Sequence, residues 1–153
     1  MQLDIFNLYL IIMEDIKKQR KYGIYILSEG KFYVPSEFIG LKADGVALYT
    51  EHTSIVIDTK NLENEEITWA QAMGKAYEID KTLPDRHEVI EIMKHIRDVN
   101  KVLYHVGGQK IYGCYWTRDG YSISIVGPEN GDYGNIINSY HQLSNHARAV
   151  NQF

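Results

Sequence analysis

Apolar residues recur in two rhythms along this chain, one helical and one alternating. Leu3, Phe6, Tyr9, Leu10, Met13 and Ile16 fall at helical spacing and place one apolar stripe on a helix over residues 1–20. Such a helix packs either on the body of the protein or on a second copy of the chain. Two pairs of β-rich runs follow. Tyr22 to Leu27 and Lys31 to Val34 flank Ser28-Glu29-Gly30, which predicts a hairpin or tight turn. Gly45 to Thr50 and Ser54 to Asp58 flank Glu51-His52-Thr53, and their β-branched density predicts a second hairpin with at least one strand largely buried. Asn61 to Glu66 is acidic and reads as a solvated connector, without the oxygen-donor alternation or the glycine of a calcium loop.

Helical spacing then returns. Thr68 and Gln71 stand in capping-box spacing ahead of Trp69, Ala72, Met73 and Ala76, which predicts a helix from about Trp69 to Glu78. Asp85 and Glu88 repeat the box, and Val89, Ile92, Met93 and Ile96 complete a second amphipathic stripe. A third, shorter helix carries Val99, Val102, Leu103 and Val106 and stops at Gly107-Gly108. From Tyr115 the period falls to two. Tyr121, Ile123 and Ile125 share one face of a strand with Ser122 and Ser124 on the other, and Asn130-Gly131 signals a hairpin into Asp132 to Ile137.

A chain of 153 residues, 44% hydrophobic, suits one domain over 21–153 after the 1–20 helix. A domain of this size buries about 68–70% of the surface its unfolded chain exposes. The net charge of −4 argues against a nucleic-acid surface, because phosphate binding needs clustered cations and the one dense cluster is Lys17 to Lys21. Cys114 is the single cysteine, so stability rests on the core and not on an intramolecular disulfide. Leu8 to Met13 is too short to span a bilayer, follows Asp4 and precedes no small-residue cleavage site. The expected setting is therefore the cytoplasm or a phage particle, without membrane insertion; Met13 is a second candidate start.

Candidate chemistry is sparse. His87, Glu91 and His95 recur every four residues on the second helix, but the two histidines stand about 12 Å apart along the axis, too far for one zinc ion. His141 and His146 lie five apart in an expected loop. Cys114 beside Tyr115-Trp116 reads as a small buried hydrophobe, and Trp116 as core. No nucleophile elbow, phosphate-cradling loop or dinucleotide fingerprint occurs. The expectation is a non-enzymatic protein without cofactor or metal.

Thr68-Trp69-x-x-Ala72-Met73, Leu83-Pro84-x-Arg86-x-Glu88, Gly107-Gly108, Tyr115-Trp116-Thr117 and Arg148-Ala149-Val150 occur in that order. Over about residues 45–150 the set resembles the bacterial and phage branch of the C-type lectin-like fold, including DUF1566-type domains and variable proteins of diversity-generating retroelements. The resemblance implies an α+β fold of antiparallel strands with two or three helices, here preceded by the N-terminal helix and hairpin. The chain departs from the pattern at Arg118-Asp119-Gly120 and lacks a tryptophan between Tyr121 and Val126. Pro128-Glu129-Asn130 without a following Trp-Asn-Asp does not support a calcium-dependent sugar site.

A display scaffold of this kind would carry its ligand on the late strands and loops. Tyr121, Tyr133, Tyr140 and His141 offer amphipathic rings there, and Arg118, Asp119, Asp132, Asn135 and Asn138 offer hydrogen bonds. Arg118 and Tyr121 are the preferred hot spot. The leading expectation is a recognition module for a protein or glycan ligand. The alternatives are an assembly subunit or homo-oligomer working through residues 1–20, and an enzyme of unrecognised type.

Overall fold

The structure, a computed structural model, describes residues 21–40, 42–125, 136–137 and 144–153. The predicted helix over residues 1–20 and the 127–131 turn lie outside the described residues.

Strands β1 (Gly23–Ser28) and β2 (Lys31–Tyr33) form the first hairpin, closed by Glu29 and Gly30 with φ of 51° and 75°. Two successive positive φ values match the right-handed twist of the flanking strands, which is why the turn carries a glycine. Strands β3 (Gly45–Tyr49) and β4 (Ser54–Ile57) form the second hairpin. Every residue of β3 is buried, as its apolar run requires.

Helix α1 (Trp69–Glu78) and helix α2 (Arg86–Lys94) each begin with the predicted capping box, Thr68 with Gln71 and Asp85 with Glu88. The predicted second stripe does not run through one helix. The chain breaks at His95, and Ile96 opens helix α3 (Ile96–His105), which at ten residues is longer than α2. The break divides one continuous i, i+3, i+4 pattern between two helices, of which α3 packs against β1 and β3. α3 ends as predicted, with Gly107 at φ 72° and the Gly108 N–H donating to Leu103 O at 2.8 Å. That six-to-one bond closes a Schellman motif.

Strands β5 (Gly113–Trp116), β6 (Ser122–Ile125) and β7 (Ile136–Ile137) form an antiparallel three-stranded sheet. Ser122, predicted on a polar face, is buried, while Ser124 on the same face is half-buried. The last strand, β8 (Val150–Gln152), takes only Val150 from the Arg148-Ala149-Val150 run and pairs antiparallel with β4. The larger sheet is thus β2-β1-β3-β4-β8. The molecule is a mixed α+β fold with three helices among the described residues.

Alternation divides the larger sheet into two apolar faces. Ile26, Val46, Leu48, Ile55, Ile57 and Val150 pack with Val89, Ile92, Met93, Val99 and Leu103 of α2 and α3, and with Ile123 and Ile125 of β6. A second cluster joins Ala72 and Ala76 of α1 to Trp116, Ala147 and Ala149. Residues 145–150 tie these parts together. Leu62 N–H donates to Ala147 O at 2.8 Å, Trp116 N–H to His146 O at 2.9 Å, and Thr82 and Val150 exchange bonds of 3.2 and 2.8 Å.

Candidate functional site

The β5–β6 connection is a three-residue loop, Arg118-Asp119-Gly120, between Thr117 and Tyr121. Gly120 at φ 85° makes the reversal, a conformation glycine adopts without steric cost. Thr117 fixes the base. Its hydroxyl donates to Tyr121 O at 3.0 Å and accepts from Tyr121 N–H at 3.0 Å, and the residue is fully buried.

The N-terminus of α2 buttresses this loop. Arg118 N–H donates to Pro84 O at 2.8 Å, and the Arg118 guanidinium lies 3.2 Å from the Asp85 carboxylate and 4.0 Å from that of Glu88. Arg86 reaches the other way, donating from Nε to Asp119 at 2.7 Å while its guanidinium covers the Tyr121 ring at 4.4 Å from the centroid. The result is an interlocked ladder in which each basic residue of one element grips an acidic residue of the other. Arg118, Arg86 and Asp119 nevertheless keep 38%, 40% and 38% of their side chains exposed. Partial burial pushes the Asp119 carboxyl up, but hydrogen bonds from Thr117, its own backbone and Arg86 outweigh that and hold it below its ordinary value.

Beside the ladder opens a cleft of about 510 Å³, lined by Tyr22, Tyr49, His52, Asp85, His87 and Glu88 among others. Asp85 and Glu88 belong to both features. Glu88 is buried and accepts from the Asp85 N–H at 2.9 Å and from Gln152 Nε2 at 3.2 Å. Glu91, one turn on, is also buried and accepts from Thr50 Oγ1 at 2.9 Å. These carboxylates fasten α2 to the sheet edge.

Arg118, Asp119 and Tyr121 stand together on this loop, and with them Asp85, which sequence reasoning gave only as a helix cap, and Arg86, which it gave only within the Leu83–Glu88 motif. Asp132, Tyr133, Asn135, Asn138, Tyr140 and His141 lie outside the described residues. The chain leaves β7 at Ile137, paired with Ser122 at the loop end of β6. His87 is exposed and Glu91 buried, and α2 ends before His95, so these three do not form the continuous helical face that the spacing predicts. Among the described residues, no group of three or more His, Cys, Asp or Glu could hold a metal ion. Cys114 is half-buried, less enclosed than its context suggests.

A second polar centre went unread in the sequence. Asn61, in the predicted solvated connector, accepts at Oδ1 from Tyr115 OH at 3.0 Å and from Arg148 Nε at 2.9 Å. Arg148 is buried and also donates to Asp58 O at 3.1 Å. Burial pushes its pKa down, partly offset by Tyr115 and Asp58. The connector is thus a structural seam, pinned by a buried arginine that only the fold brings to it.

Comparison with family models, with curated proteins and with solved structures finds no match to this chain. No helix among the described residues is long and apolar enough to cross a membrane.

Proposed function

We propose that this chain is a non-enzymatic recognition module with a C-type lectin-like arrangement, which binds a protein or glycan through the face around Arg118 to Tyr121. The observation that carries the reading is the ladder itself. A three-residue loop is held at both ends by a capped helix, yet presents two charges of opposite sign to solvent beside a half-buried tyrosine ring. A surface ordered before the ligand arrives loses little entropy on binding, and Tyr and Arg are the residue types that carry most interface energy.

Topology supports the architectural part. β8 returns to pair with β4, so the helices and the three-stranded sheet form one excursion whose ends lie side by side. Trp116, Ala147 and Ala149 pack together inside that closure.

The test is to pass a panel of bacterial surface glycans and an extract of surface proteins over the immobilised full-length chain. Saturable retention of a defined component is expected. Turnover of a panel member without retention would contradict the reading.

A further inference from the structure

Two hollows meet at the loop between β3 and β4. The larger is the cleft of about 510 Å³ beside the ladder, a volume within the range of ligand pockets. The smaller, of about 260 Å³, runs over Ile24 and Leu48 toward His95. Tyr22, Tyr49, Thr50 and Glu51 line both, so the two hollows share one wall. That wall is aromatic. The Tyr22 ring packs edge-on to Tyr49 at 5.1 Å, and Tyr49 lies 6.0 Å from Phe153. Tyr49 is buried and fixed between its neighbours, whereas Tyr22 is 60% exposed at the opening.

The charge beside these rings has one sign. Glu51, Asp85 and Glu88 line the larger hollow, and among the described residues no lysine or arginine lines either one. Arg118 offsets part of that charge from the ladder side, with its Nη2 at 3.2 Å from Asp85 and 4.0 Å from Glu88. Glu51 stands apart from it, with 76% of its side chain exposed and the His52 ring at 3.9 Å, too far for a hydrogen bond. Three carboxylates against one guanidinium leave the cleft negative. An anionic ligand meets repulsion there, and a purely apolar one strips water from carboxylates without replacing it. A basic side chain suits both halves, because its aliphatic stem covers rings while its cation stays at the carboxylates and over the ring face.

We infer that the cleft receives a basic side chain of a protein ligand, its stem laid on Tyr22 and Tyr49 and its cation at Glu51 and Asp85. The inference rests on the recognition reading and gives its ligand a chemistry: a protein with an exposed arginine or lysine, and not a glycan. Asp85 and Glu88 belong to the cleft and to the ladder, so a ligand seated in the cleft lies against the Arg118 to Tyr121 loop.

The test titrates the ¹⁵N-labelled full-length chain with the peptide acetyl-Leu-Arg-Leu-amide, with its uncharged citrulline counterpart, and with maltotriose as a neutral sugar. The arginine peptide is expected to shift the backbone amides of Tyr22, Thr50 and Glu51 saturably, and the citrulline peptide to bind about tenfold more weakly. Tyr22→Ala and Glu51→Gln change exposed side chains that the fold does not need, and each should weaken the arginine peptide about fivefold. Equal binding of the two peptides, shifts confined to other surfaces, or affinity unchanged in both variants would overturn the inference. So would maltotriose moving these amides where the arginine peptide does not. Because the titration reads the cleft directly, its failure while a surface component is still retained at the ladder sinks this inference and leaves the recognition reading standing.

Discussion

Arg86 acts in two directions with one side chain, and both concern Asp119 and Tyr121. Its Nε bonds the carboxylate and its guanidinium plane covers the ring, which fixes the loop without burying it. The Asp119 carboxyl titrates below its ordinary 3.8 in the folded state. Its contribution to stability is therefore present above that value and lost as the pH falls through the lower, folded one. Thermal unfolding from pH 6 to pH 2.5 should show the Tm of Asp119→Asn falling less steeply in the acid range than that of the parent. Identical slopes would mean that the loop is not held by this charge. Asn61 is the more consequential polar residue. Asn61→Ala leaves the Tyr115 hydroxyl and the Arg148 Nε without an acceptor in the interior, which should cost about 3 kcal/mol. Urea denaturation measures it, and a loss near zero would show that water replaces the amide. Trp116 was legible as core because a large ring in an alternating strand has few other places to go. Asn61 was not, because a polar residue in an acidic stretch looks solvated until Arg148, 87 positions on, is brought beside it.

Elements were legible where their signals are local. Both capping boxes lie within four consecutive residues, and the structure places each helix start where its box predicts. Thr68→Ala should cost about 1 kcal/mol, the ordinary value of a lost N-cap. Asp85→Ala should cost more than Thr68→Ala, because Asp85 also holds Arg118 across the ladder. Equal losses, read by chemical denaturation, would show that the ladder adds nothing to the cap. The break at His95 had no local signal, since neither glycine nor proline stands there and the apolar period runs on from Ile92 to Val99. That β8 takes only Val150 from the Arg148-Ala149-Val150 run has the same origin. Ala147 to Ala149 are buried but bond to the 58–62 strap, so strand pairing is established only from Val150.

At the scale of the molecule, two closures organise the fold. β8 beside β4 seals the excursion that carries the helices and the small sheet, and the Phe32 and Phe153 rings, meeting at 5.7 Å, close over the outward face of the larger sheet. The Arg118 to Tyr121 ladder, at the junction of α2 and the small sheet, keeps its charges partly in contact with solvent. The order of motifs in the sequence conveyed the α+β class. It could not convey that Arg118 is committed to Asp85 and Glu88, so Arg118→Ala is a poor probe of binding: it disturbs the cap of α2 as well. The direct measurement is a titration of the component retained from the bacterial surface panel against the full-length chain and against Arg86→Ala/Tyr121→Ala, whose folding is checked by thermal unfolding. A recognition face at this ladder predicts affinity weaker by about thirtyfold, the value of one hot spot of 2 kcal/mol. Equal affinity in a folded variant would contradict the assignment of the face.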